Sequence, residues 1–324
     1  MLLAMPLSCA ASPVDRAAAV RGALGVRRWF RACFAILLLS VAIVVPLGGC
    51  AASVHGVVEA ERGSDVDPAI DSFTLLLEAT DHEALYTLAG GLKPMSTGIW
   101  RGSFLVNEPD LDDVRRARAS LAPLRNDLWY ADVQVFNNIH DGERSAHAFV
   151  VHRAALARMI ERFESFWSPW GITPCTHPSE TVAVVDRMPK ADRWRGYGYL
   201  FGYPADAVDF FIEAGLAAED GREIGGGTDR RFIQIPTYAE DTGRFTYAAP
   251  LDHLRTAADE ALASEASRIL AAYTVRRSRL IDAEDIVVEL RRLNRDLEGE
   301  AIAAAEVRDA RYTEEGADDA VLDR

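Results

Sequence analysis

The chain has 324 residues, 49% of them hydrophobic, with 35 basic against 49 acidic residues and a net charge of −14. That is enough apolar material for a packed core, and so acidic a surface repels phosphate backbones and excludes nucleic acid as a partner. Lys93 and Lys190 are the only lysines, so arginine supplies almost all the positive charge.

Arg27, Arg28 and Arg31 precede an uncharged apolar run from Ala32 to Val45, which closes on Leu47-Gly48-Gly49-Cys50. A positive flank, an apolar stretch and a small-residue exit are the parts of an export signal. The last four residues resemble the lipobox of bacterial lipoprotein precursors, a resemblance confined to the first fifty residues. It implies cleavage before Cys50 and transfer of a diacylglyceryl group to its thiol. The remainder of the chain would then sit outside the cytoplasm, lipid-anchored to a bacterial membrane. By the same resemblance, Ala51 in place of aspartate after the cysteine implies outer-membrane sorting in a diderm cell. The competing reading is an uncleaved anchor, since Ala32 to Gly49 is eighteen residues and a spanning helix takes about 20. The arginines give both readings one orientation. Each buried acyl methylene contributes ~0.8 kcal/mol and one chain holds only marginally, so two or three chains on Cys50 would anchor the protein unaided. Loss of residues 1–49 removes five arginines and one aspartate, leaving a net charge of −18. Cys175 is then the one unmodified thiol, and no intramolecular disulfide can form.

Residues 50–67 are small, polar and acidic, and read as a flexible tether. Residues 68–250 read as an α+β domain, with an antiparallel or mixed sheet packed with helices. Pro68 suggests a helix start reaching Leu77, and Asp81 an N-cap for a helix closing at Gly90-Gly91. Gly98 to Val106 reads as a strand, and Asp110 to Leu124 as one helix. Tyr130 to Ile139 and Arg144 to Val151 are strand-like runs around Asp141-Gly142, the signal of a type I′ hairpin. That turn would pair His140 with Glu143 and Phe136 with His147. It would also give one apolar face of Ala131, Val133, Val135, Ile139, Ala146, Ala148 and Val150. Ala154 to Phe166 is an amphipathic helix, and Pro178 opens another to about Arg187. Gly196 to Phe201 alternates glycine and aromatic residues and reads as a strand, followed by a helix from Pro204. Arg231 to Ile235 and Arg244 to Ala248 are short neighbouring strands. Residues 251–312 read as long C-terminal helices, the first over His253 to Arg276 and the second capped by Asp282. The stripe Ile286, Leu290, Leu293 and Leu297 offers a protein-facing surface. Residues 313–324 form an acidic tail with a disordered composition.

Several clusters could carry chemistry. His147 and His140 are candidate acid–base residues on the polar hairpin face; a solvated strand face is the simpler alternative. His152 falls on the opposite face, which argues against a three-histidine metal site. Asp81-His82-Glu83 lacks the second histidine of a zinc protease, with Tyr86 in its place. Cys175 and His177 could share a face as a thiolate–imidazolium pair, although no oxyanion donor accompanies them. The run from Gly196 to Pro204 is the most unusual. Tyr197, Tyr199 and Tyr203 could line an apolar pocket, with Arg195 upstream for an acidic ligand and a helix N-terminus nearby; a tightly packed core strand would explain them equally. Asp206, Asp209 and Glu213 read as a solvated acidic face, and Gly225-Gly226-Gly227 is not a phosphate loop. No cofactor motif is present. These features point to a non-catalytic ligand- or protein-binding domain, or alternatively to an envelope hydrolase with a histidine-centred site.

Overall fold

The computed structural model describes residues 71–219, 230–240 and 245–299. Cys50 with its preceding apolar run, the tether, Pro68, Gly225-Gly226-Gly227 and the acidic tail lie outside the described residues. The architecture is α+β.

Helix α1 (Ser72–Asp81) is capped by Asp71, whose carboxylate accepts the N–H groups of Phe73 and Thr74 at 3.3 and 2.9 Å. Asp81 therefore ends this helix and does not cap the next. Its carboxylate is gripped by Arg277 Nε and Nη2 at 2.7 and 2.6 Å and by the Tyr273 hydroxyl at 2.7 Å. This fork ties α1 to the C-terminal helices. A single turn, α2 (Leu85–Leu88), leads through Gly90 and Gly91 into β1 (Met95–Leu105). Helix α3 (Asp112–Ser120) stops earlier than its composition suggests, and Ala122–Leu124 is a separate 3₁₀ turn containing Pro123. Proline lacks the N–H that an α-helix interior needs.

Strands β2 (Trp129–His140) and β3 (Glu143–His152) form the expected hairpin, with Asp141 at φ 54° and Gly142 at φ 85°. The sheet order is β1-β3-β2, antiparallel throughout. His140 pairs with Glu143, but between Ile139↔Arg144 and Val135↔Ala146 strand β2 advances four residues while β3 advances two. This bulge places His147 opposite Gln134 instead of Phe136. Arg144 Nη1 holds it by donating to the carbonyls of Phe136 (2.9 Å) and Asn137 (2.6 Å). From the other side, Asp186 accepts the Asn137 N–H at 2.8 Å. Turn chemistry sets register only near the loop, and a bulge resets it beyond.

Helices α4 (Arg153–Arg162) and α5 (Glu164–Trp167) follow, then α6 (Pro178–Arg187), α7 (Lys190–Leu200) and α8 (Ala205–Glu219). Strands β4 (Arg230–Ile235) and β5 (Phe245–Pro250) form a two-stranded antiparallel ladder. Helix α9 (Ala257–Ile281) begins with a capping box between Thr256 and Asp259. A last helix, α10, runs over 286–299 and is capped by Asp285, which accepts from the N–H groups of Val287 and Val288.

The core lies between the Ala131, Val133, Ala146, Ala148 and Val150 face of the sheet and helices α1, α2, α9 and α10. Ile286, Leu290, Leu293 and Leu297 belong to it, so the C-terminal stripe is covered by the chain's own domain and is not a free protein-facing surface. Val135 and Ile139, expected in the core, emerge at the hairpin end at 40% and 49% exposure. The face carrying Gln134, His147 and Phe149 is buried as well, where α6 packs on β2 and Tyr197 of α7 meets Gln134. At these residues it is therefore not solvated, whereas His140 and Glu143 at the hairpin end of the same face are exposed.

Candidate functional site

The Gly196 to Phe201 segment is helical, contrary to the strand reading. Its glycines serve helix contacts. A β-carbon on Gly196 would lie 3.1 Å from the Val185 methyls of α6, and one on Gly198 only 2.6 Å from Cγ2 of Val208 on α8. Three helices thus stack closely, and Tyr197, Tyr199 and Phe201 are buried around them. Gly202, at φ 73°, ends α7: its N–H reaches Tyr199 O and the Tyr203 N–H reaches Gly198 O. This is a Schellman stop, and it directs the chain along residues 92–94 before α8 begins.

The result is a cleft of about 630 Å³ between α4, the α7–α8 turn and the first turns of α9. Leu92, Pro94, Met159, Phe163, Tyr199, Tyr203 and Leu262 supply its apolar wall, and Ala155, Ala258 and Ala261 leave it open. Tyr199 stacks flat on Phe163, with ring centroids 3.9 Å apart and planes at 3°. Tyr203 stacks on Phe245 behind it. The only charged lining residues are Arg158 and Arg162 of α4. Pro204 and Ala205, at the N-terminal end of α8, complete the rim. Beneath Leu92 and Pro94, the fully buried Lys93 pairs with Glu83 at 2.9 Å and lies 4.6 Å from the Phe245 ring centroid.

The four residues expected to bind a ligand therefore divide. Tyr199 and Tyr203 line the cleft. Tyr197 points to the sheet, where its hydroxyl accepts from Gln134 Nε2 at 2.7 Å, and burial pushes its phenol well above the ordinary range. Arg195 stands behind Tyr199, donates to its hydroxyl at 3.2 Å, and is neutralised by Asp209. The cations that line the cleft are Arg158 and Arg162, which sequence reasoning did not single out. Two arginines four apart on one helix were the available signal.

The histidines do other work. His147 is buried, packs edge-on against Phe136, and its Nδ1 has no hydrogen-bond partner among the described residues. Burial, aided by Arg101, holds it down at about 4, so it is neutral at physiological pH. No carboxylate bonds it. His140 is exposed at the hairpin end. His152 caps α4 by accepting the Ala155 N–H through Nδ1 at 3.2 Å. His177 caps α6 likewise, its Nδ1 accepting the Ser179 N–H, and among the described residues no Cys175–His177 bond forms. His82 lies with Nδ1 2.8 Å from the Glu78 carbonyl. His253 meets the buried Asp259 at 2.7 Å. That carboxylate also accepts from Tyr247, the Thr256 N–H and the Thr256 hydroxyl, which against the desolvation of burial hold it at about 2. It is the N-terminal lock of α9.

Among the described residues no group of three His, Cys, Asp or Glu side chains comes together as a metal-ligand set, and no helix is long and apolar enough to cross a membrane. The chain matches no protein-family model, no curated protein and no solved structure.

Proposed function

We propose that the chain is a bacterial envelope lipoprotein, lipid-anchored through Cys50, whose domain binds an apolar ligand in the α4–α9 cleft without chemically altering it. One observation carries the binding reading. The cleft has the size of a small-molecule site, which is about 300–1,000 Å³, and its lining holds no carboxylate, imidazole, thiol or aliphatic hydroxyl. A hydrolase needs a positioned acid, base or nucleophile at such a surface. Tyrosine phenols and guanidinium groups are the only ionisable side chains this lining presents. The lipobox resemblance supports the anchor, and no observation favours a histidine-centred hydrolase.

The cleft reading is tested on the full chain in its native membranes, with dodecanol carrying a diazirine in its chain. Photolysis is expected to attach it to peptides containing Met159 or Leu262. Ala261→Trp, which fills the cleft from an exposed helix position, is expected to remove that labelling. Labelling scattered over the surface, or unchanged by Ala261→Trp, overturns the reading.

A further inference from the structure

We infer that the ligand of this cleft is a single-tailed anionic amphiphile, an alkyl or acyl chain ending in a carboxylate or a phosphate held by Arg158 and Arg162. The inference rests on the cleft being the ligand site proposed above.

The two guanidinium groups stand one turn apart on α4, and both side chains are exposed. Among the described residues neither forms an ion pair, although Glu161 lies between them in sequence; Arg162 has only the Phe163 ring, 5.3 Å away. Elsewhere Arg118, Arg195, Arg277 and Arg291 each reach a carboxylate. Like charges four apart on a helix repel. Here they do so at the edge of a cleft that no carboxylate lines, in a chain with 49 acidic residues. Two cations and no acid in its lining make this cleft a locally positive site on an acidic body.

Each half of the lining excludes a simpler ligand. A free inorganic anion would satisfy the arginines and leave Met159, Phe163, Tyr199 and Leu262 facing water. A neutral hydrocarbon would fill the apolar wall and leave two cations without a partner. An anionic head with one tail answers both, because guanidinium forks match carboxylate and phosphate oxygens in pairs. A volume of about 630 Å³ suits one chain and not the two of a phospholipid.

The test displaces the photoreactive dodecanol from the full chain, in the same membranes, with four competitors: dodecanoate, dodecyl phosphate, dodecyltrimethylammonium and plain dodecanol. The anions are expected to compete at concentrations at least about tenfold lower than the neutral and cationic forms, the size of a charge-assisted contact. Dodecanoate ahead of the phosphate assigns the head to a free fatty acid; the reverse order assigns it to a phosphorylated lipid. Arg158→Gln combined with Arg162→Gln, both on an exposed face, should bring all four competitors together while cleft labelling persists. Equal competition in the unaltered protein, with labelling still in the cleft, overturns the anionic class and leaves the cleft reading standing. Absence of cleft labelling by the photoreactive dodecanol in the unaltered protein, before any competitor is added, overturns the cleft itself.

Discussion

Gly91 lies with its backbone against the imidazole of His152, so close that a β-carbon at Gly91 would come within 2.9 Å of ring atoms. The same imidazole accepts the Ala155 N–H and starts α4. The start of the helix that carries Arg158 and Arg162 is therefore packed against the glycine turn, whose Gly91 also lines the cleft. Position 91 sets both the chain's reversal and the placing of the two cations.

Gly91→Ala is expected to destabilise the protein on two counts. The backbone there has φ +60°, a conformation that costs an L-residue roughly 1–2 kcal/mol, and the ring of His152 must also move. Gly142→Ala supplies the comparison, since its φ is +85° but nothing lies within 4 Å of the added carbon. Urea unfolding should show a larger loss for Gly91→Ala; equal losses would mean that the imidazole contact carries no energy.

The contact of Gly198 with Val208 makes a second, separable prediction. Gly198→Ala should cost about 1–3 kcal/mol by forcing α7 and α8 apart. Val208→Ala removes the methyl that the new carbon would meet at 2.6 Å. The double variant should then be more stable than the sum of the single losses implies, by about 0.5 kcal/mol or more. Strict additivity in a double-mutant cycle would refute the close-packing account of these glycines.

Acid stability follows from His147 and His152. Burial is the first cause of each depressed value, with Arg101 and Arg158 respectively adding to it, and each lies at about 4 against 6.5 in an unfolded chain. Between these values the unfolded state binds more protons, so folding free energy falls as pH falls. The contribution is complete above about pH 6.5, diminishes by about 1.4 kcal/mol per unit for each residue across the window, and is constant below about pH 4. His147→Gln should roughly halve the slope of the urea midpoint between pH 6.5 and 4. An unchanged slope would show that His147 is not held neutral by its surroundings.

The anchor has its own test. Cys50→Ser removes the thiol that would accept the diacylglyceryl group, and the variant is expected to leave the membrane fraction. Full membrane retention of an unlipidated variant, read by fractionation and mass spectrometry, would favour the uncleaved apolar span from Ala32 to Gly49.

Local chemistry was legible where it was self-sufficient. Asp141-Gly142 specified its turn and Pro178 opened α6, and the spacing of Ile286, Leu290, Leu293 and Leu297 marked an apolar helix face, although that face packs into the chain's own core and not against a partner. The errors came where two periods or two partners competed. Gly196 to Tyr203 alternates with a period of two and so imitates a strand, although Gly202 followed by Pro204 was a readable helix stop. His152 and His177 cap helices in place of the usual Ser, Thr, Asp or Asn, so neither cap was legible, and the His177 nitrogens looked available to Cys175. The β2 bulge depends on Arg144 and Asp186 reaching backbone groups from elsewhere, which no local pattern encodes. Arg158 and Arg162 were visible as a like-charged pair. Their common place on one cleft appeared only with the fold, where α9 adds Ala258, Ala261 and Leu262 to the lining.

The decisive measurement is a crystal structure of the protein grown with dodecanoate. The expected result is a carboxylate within hydrogen-bond distance of Arg158 or Arg162, with its chain lying along Met159, Tyr199 and Leu262. A vacant cleft at saturating dodecanoate, or the chain seated on another surface, would contradict the assignment.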